Sequence, residues 1–363
     1  SGLSARYNNC EEVLKIVFNN NQKIIYKPYP AFIEPTFYEL LNWLNSSGYT
    51  TQFKTPILLD CNEYYWYEYI ETKEIANTES INKYYETLGE LIGILFLLKG
   101  RDINTNNLIQ FSESPVLIDA EMLFCHQIPI LSKYFPDLEY SIFDTCSLPL
   151  LKIRNRYIKN NLSLFFKNQI SNNAFLDIEK ICSPNWFRNT DNNLSASLFN
   201  EQIQFADVYK DDIARGYKNI SDFIIAKKKE LLQESGILYK IQNKQVRFIF
   251  LTWNIISDIL FNSIEPEFLT DCNKYEENLT SAVKNYYDKY STETTNHFMS
   301  NEINAIKKLS FPKMYLSNTV SINDVGISPF DESIMLIKKL DERVIKKNID
   351  NIYFCFDYCK KTR

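Results

Sequence analysis

The spacing of apolar residues divides this chain into a strand-rich beginning and a helix-rich remainder. Residues 12–28 hold two alternating runs, VLKIVF and KIIYK, around an Asn-rich NNNQ stretch, the pattern of a β-hairpin. Pro28 and Pro30 end the second run. Over 35–48, Phe37, Leu40, Leu41 and Leu44 share one helical face and Gly48 follows, which predicts a helix with a glycine just past its end. TPILLD (55–60) and YYWYEYI (64–70) read as two further strands. Ile81, Tyr85, Leu88, Ile92 and Leu95 then recur at helical spacing and predict a long helix from about Ser80 to Leu98, stopped by Gly100.

From about 135 onward the pattern is mainly helical, with long polar connections around 152–200. A helix is expected over 209–236, ending at Gly236. Residues 244–261 begin as a strand and turn into a helix, and 331–356 read as one closing helix. A small sheet followed by helices gives an α+β fold class.

Composition narrows the function. With 363 residues the chain can build a sizeable core, and 45% apolar with 23% charged residues is the balance of a packed protein. A net charge of −5 argues against a general nucleic-acid binder, which needs a basic footprint. Only 8 glycines leave no room for an extensive glycine-rich phosphate cradle. Cys10, Cys61, Cys125, Cys146, Cys182, Cys272, Cys355 and Cys359 form no CxxC pair, and with only His126 and His297 a zinc site is not expected. Reduced, mostly buried thiols and a cytoplasmic location are the expectation. The longest apolar run, Leu91 to Leu98, is far too short to cross a bilayer.

Three polar groups at the edges of apolar segments carry the candidate chemistry. Lys27 ends the second strand, where a long-stemmed ammonium can grip nucleotide phosphates; a solvated strand lysine is the plain alternative. RDINTNN (101–107) sets Asp102 and Asn107 five apart after the long helix. Such an Asp can orient a hydroxyl and such an Asn can hold Mg2+, whereas an Asx-rich turn is the plain alternative. PVLIDAE (115–121) places Asp119 and Glu121 two apart, on one face if the strand continues. Two such acids repel each other and favour a divalent cation. The chain order is that of a phosphate-gripping lysine, a catalytic Asp with a metal-binding Asn, and metal-binding carboxylates in kinase-like enzymes.

With these motifs, Tyr26-Lys27-Pro28-Tyr29, the Tyr64–Tyr69 run, Asp102–Asn107 and Pro115–Phe124, the sequence resembles the dehydratase domain of the class II lanthipeptide synthetases, the LanM family. SIFDTCSLP (141–149), DDIARGY (211–217) and EINAIKKLSFPKMY (302–315) extend the resemblance over nearly the whole chain. It implies a fold similar to lipid kinases: a sheet-containing small lobe over about 1–70 and a larger, mainly helical lobe over 71–363. It also implies ATP and Mg2+ as cofactors and a Ser/Thr-containing precursor peptide as partner. That peptide is phosphorylated, and phosphate is then eliminated. Lys27 is the implied phosphate-binding residue. Asp102 and Asn104 are the implied catalytic-loop residues, and Arg247 belongs to the elimination half. Asn107, Asp119 and Glu121 stand around metal and phosphate. The usual N-terminal portion and the C-terminal zinc cyclase have no counterpart here, so a separate cyclase or a further N-terminal portion is an expected partner.

The departures from the family pattern fall on the catalytic loop and, more heavily, on the elimination chemistry. Asn104 replaces the catalytic-loop His. Ala5 and Tyr7 occupy the positions of an Asp-x-His pair, and Trp253 occupies that of a Thr, with Thr252 one residue away. Elimination needs a base at Cα and help for the leaving phosphate. Three readings follow: a kinase that has lost elimination, a complete dehydratase served by other groups, and a degenerate pseudokinase that scaffolds a peptide or partner.

Overall fold

In the computed structural model, residues 4, 6–103, 107–127, 129, 140–145, 147–148, 196–199, 202–322 and 326–362 are described. The expected polar connections around 152–200 lie almost entirely outside them. Strands β1 (Leu14–Val17) and β2 (Lys23–Lys27) form the anticipated hairpin, with Asn21 in the left-handed region at φ 63°. Asn tolerates that conformation because its short polar side chain hydrogen-bonds locally. Helix α1 (Glu34–Ser46) follows, and Gly48 takes φ +86° just past its end. Strands β3 (Leu58–Asp60) and β4 (Tyr65–Glu68) complete an antiparallel sheet in the order β1-β2-β4-β3.

Lys27 lies directly across from Tyr65, and Ile25 across from Tyr67. Period-two alternation therefore puts Lys27, Tyr65 and Tyr67 on the face that packs inward. Tyr65 and Tyr67 are buried there, while Leu59 on the opposite face is exposed.

Helix α2 (Thr78–Leu97) is capped by Asn77, whose side chain accepts from the Ser80 amide. It is buried along most of its length and runs through the main core with α3 (Lys210–Leu231). The two helices cross at glycines. A methyl group on Gly89 would collide with the Ile213 carbonyl, and one on Gly216 with the Glu86 carbonyl. Absence of a side chain at both positions lets the backbones touch, which explains the glycine of DDIARGY.

Strands β5 (Leu108–Phe111) and β6 (Ser114–Leu117) form a second hairpin. Strands β7 (Ala196–Phe199) and β8 (Gln202–Phe205) form a third. Strand β9 (Gln245–Phe248) pairs antiparallel with β10 (Met314–Ser317) and leads into helix α4 (Trp253–Ser263), as 244–261 predicted. Helices α5 (Cys272–Tyr290) and α6 (Met299–Lys307) pack with α4 in a second hydrophobic cluster around Phe250, Val283 and Tyr287.

Four sequence expectations are corrected. The closing segment is two helices, α7 (Pro329–Lys339) and α8 (Glu342–Thr362), not one. Leu340 is extended, and the Asp341 carboxylate accepts from the Arg343 and Val344 amides, starting a new helix. Strand β6 ends at Leu117, so Asp119 and Glu121 do not continue one strand face. The long helix α2 turns at Lys99, not Gly100: Lys99 has φ 52° and the Gly100 amide returns to the Leu95 carbonyl. Of the described free cysteines, Cys125 and Cys355 are buried, but Cys10 and Cys272 are exposed. No described helix is long and apolar enough to cross a membrane.

The α2–α3 crossing and a carboxylate beside it make two predictions. Gly216→Ala is expected to cost about 3 kcal/mol or more, because backbone rather than a flexible side chain blocks the added methyl; a urea unfolding midpoint checks this. Glu90, fully buried on α2, accepts from Thr51 Oγ1 at 2.8 Å and lies 3.8 Å from Lys83. Burial pushes its carboxyl up to about 7, against the opposing pull of Thr51 and Lys83. Its unfolded value is near 4, so the folded state binds the extra proton, and stability falls as pH rises through the window up to about 7. Glu90→Gln should flatten that part of the stability–pH profile, measured as unfolding midpoints at pH 5 and pH 8.

Candidate active site

Lys27 is 5% exposed at the inner end of β2. Its ammonium donates to the Ile118 carbonyl at 2.9 Å and lies 3.9 Å from Glu34 Oε1 and 4.0 Å from Asp119 Oδ1. The Tyr65 and Tyr67 rings flank it at 5.3 and 4.9 Å. A buried ammonium is tolerated only with such partners, since its hydration is lost. One side chain thus ties the sheet to the start of α1 and to the segment leaving β6.

Glu34 was not singled out in the sequence, where it reads only as a helix-start acid. It opens α1 just before Pro35, where the helix dipole favours a carboxylate. Tyr65 Oη donates to it at 2.7 Å. Burial raises the Glu34 carboxyl above its usual range, with Lys27 pulling the other way. Burial also raises the Tyr65 phenol, which stays a donor.

The RDINTNN loop and the segment after β6 are zipped together. Arg101 N donates to Met122 O, Ile118 N to Asn107 O, and Phe124 N to Leu98 O. Asn107 Nδ2 donates to the Asp102 carbonyl at 2.8 Å, and Asp102 itself sits at φ 57°. For a residue with a side chain that conformation is uncommon, and it concentrates at functional loops. Asn107 and Asp119 are therefore brought to neighbouring backbone, with Lys27 beside them. Asn104 lies outside the described residues.

Asp119 and Glu121 diverge. Asp119 faces Lys27, with its side chain 30% exposed. Glu121 faces Lys313, with Oε2 2.5 Å from Nζ, and Arg247, with Oε1 4.0 Å from Nε. The Lys313 contact is a close ion pair rather than an aligned hydrogen bond. Burial acts to raise the Glu121 carboxyl, but Lys313 and Arg247 outweigh it and hold it below the usual carboxylate range. Burial in turn pushes the Lys313 ammonium down to about 8.

Arg247 comes from β9, opposite Tyr315 of β10, and Lys313 precedes β10. Arg247 Nη2 donates to Pro312 O at 2.7 Å, while its Nη1 is buried with no hydrogen-bond partner among the described residues. Tyr7 lies over both cations, 5.2 Å from the Arg247 guanidinium and 4.7 Å from Lys313 Nζ. Its segment is fixed by Asn8 N to Phe311 O, Phe311 N to Arg6 O, and Lys313 N to Asn8 Oδ1. Burial, with Glu121 adding to it, raises the Tyr7 phenol, so it stays protonated. Thr252 stands at the start of α4 with its hydroxyl buried and without a hydrogen-bond partner among the described residues. Lys313 lies in the EINAIKKLSFPKMY stretch that extends the family resemblance, but no local signal singles out this lysine from its neighbours.

Among the described residues, no three His, Cys, Asp or Glu side chains converge as a metal-binding group. Asn107 and Asp119 supply one side-chain amide and one carboxylate from neighbouring backbone. That fits Mg2+ bound through one carboxylate, waters and phosphate oxygens rather than an all-protein cage. Lys27 and the Arg247 guanidinium, whose Nη1 has no hydrogen-bond partner among the described residues, are cations of the kind that bind phosphate oxygens.

A family model described as a domain of unknown function (DUF4135) matches residues 1–317. The lacticin 481/lactococcin biosynthesis protein LcnDR2 of Lactococcus lactis subsp. lactis is 24% identical over 378 residues, covering 96% of this chain and 37% of that protein. The chain thus spans little more than a third of that relative's length. With the family model covering residues 1–317 of 363, this chain belongs to the DUF4135 family.

Proposed function

We propose that this chain is an ATP- and Mg2+-dependent phosphotransferase acting on Ser or Thr of a precursor peptide, the first half of lanthipeptide dehydration, without the eliminating half. The observation that carries this reading is the buried Lys27 ammonium shared between Glu34 and Asp119. A strand lysine paired with a helix glutamate, beside a metal-binding Asp, is the arrangement protein kinases need for phosphoryl transfer. The likeness to a lacticin 481/lactococcin biosynthesis protein supports the peptide as acceptor. The two-lobe description belongs to the same reading, with the nucleotide between the sheet of 1–70 and the helical remainder.

In this mechanism Lys27 would hold nucleotide phosphates, and Asn107 with Asp119 would hold Mg2+. The Asp102 carboxylate orients the acceptor hydroxyl and takes its proton as the hydroxyl oxygen bonds the γ-phosphorus and the bond to the bridging oxygen breaks, with ADP as the leaving group. Mg2+, when bound, neutralises charge on the phosphates. Positioning and charge neutralisation are most of what this transfer requires. Tyr7 bears on the second half. Its phenol covers Arg247 and stays protonated, so it is no base for removing a Cα proton. The phosphorylated peptide is then the product.

ATP with Mg2+ should raise the melting temperature, corresponding to about 2.7 kcal/mol of stabilisation at a hundredfold excess over Kd. Lys27→Ala and Asp119→Asn should each abolish that shift in thermal-shift assays. A stable fold with no shift under any Mg2+ or ATP concentration would replace this reading with a peptide- or partner-binding scaffold.

A further inference from the structure

The acidic pair after β6 is unequally supplied with positive charge. Glu121 has a cation at each oxygen, Lys313 on Oε2 at 2.5 Å and Arg247 on Oε1 at 4.0 Å. Among the described residues Asp119 pairs with Lys27 alone, at 4.0 Å, which it shares with Glu34 at 3.9 Å. One carboxylate thus carries two cations, while elsewhere one cation serves two carboxylates. A divalent ion approaching Glu121 meets an excess of positive charge in a poorly screened setting, whereas Asp119 offers net attraction.

Exposure points the same way. The Lys313 side chain is 1% exposed and Glu121 14%, against 30% for Asp119. Tyr7 and Tyr29 both lie against the Lys313 ammonium. Lys313 therefore cannot reach a substrate, and its role is confined to the charge it places beside Glu121. The fixed Tyr7 segment and the bond from the Lys313 amide to Asn8 Oδ1 hold it there.

We infer that Lys313, rather than a metal ion, is the resident counter-cation of Glu121, so that divalent cations in this cleft are held from the Asp119 side alone. Lys313 is a positioning residue: it withdraws one of two neighbouring carboxylates from the metal and limits how many ions the cleft takes up. This inference rests on the phosphotransferase reading and adds which acid serves the metal.

Mn2+ titration followed by electron paramagnetic resonance, with a non-hydrolysable ATP analogue present, tests it without requiring turnover. The charge-matched Lys313→Met/Glu121→Gln double variant should bind Mn2+ within about twofold of wild type, while Asp119→Asn should weaken binding by about tenfold or more. Lys313→Met alone releases the Glu121 carboxylate and should take up one further Mn2+ per chain, which the double variant loses again. Breaking a buried pair from one side can prevent folding; if Lys313→Met does not fold, the comparison of the double variant with Asp119→Asn decides alone. A double variant as weak as Asp119→Asn, or a folded Lys313→Met with no additional ion, overturns the inference while leaving the phosphotransferase reading intact. Failure of wild type to bind Mn2+ with the nucleotide at all overturns both.

Discussion

A buried ammonium demands partners, and the inner end of β2 is built around meeting that demand for Lys27. The Ile118 carbonyl, Glu34, Asp119 and two tyrosine rings surround it. They come from the sheet, the start of α1 and the segment after β6, so a single charge sets how three elements meet. Desolvation of the ammonium is severe enough that losing one partner leaves an uncompensated charge rather than a neutral gap. The Asp102 loop is fixed in turn because its backbone is zipped to that same segment after β6.

A second cationic corner sits alongside the first but is made differently. Arg247 and Lys313 come from the β9–β10 hairpin, far along the chain, and are roofed by Tyr7 near its beginning. Glu121 connects the corners, leaving the same short segment as Asp119 yet turned to the other set of cations. Around Asp119 one ammonium is shared between two carboxylates, whereas around Glu121 the negative charge is already answered by two cations. On the proposed reading, Tyr7 occupies the position at which the family resemblance implies a base for elimination, and its buried phenol stays protonated there.

Much of this was legible in the sequence where local patterns carry the information. The first hairpin, α1, α2, α3 and the strand-to-helix change after Gln245 all follow from periodicity and turn residues. The triad of Lys27, the Asp102 loop and Asp119 could be ordered from motifs that resemble a known family, although their convergence depends on folding. Glu34 was hidden because an acid at a helix start is ordinary, and only burial against Lys27 distinguishes it. Lys313 was hidden because nothing near it in sequence reveals an ion pair with Glu121 across 192 residues. The divergence of Asp119 and Glu121 depends on where β6 stops, and the break at Leu340 on one Asp341 cap inside an otherwise continuous helical pattern.

The most direct measurement is intact-mass spectrometry of a Ser/Thr-containing candidate precursor peptide after incubation with this protein, ATP and Mg2+. A gain of about 80 Da for each modified residue, one phosphoryl group, is the expected result. A loss of about 18 Da, one water, would contradict the loss of elimination and require another base in place of Tyr7. An unchanged mass, for a peptide that the protein binds in the presence of the nucleotide, would contradict phosphotransfer itself.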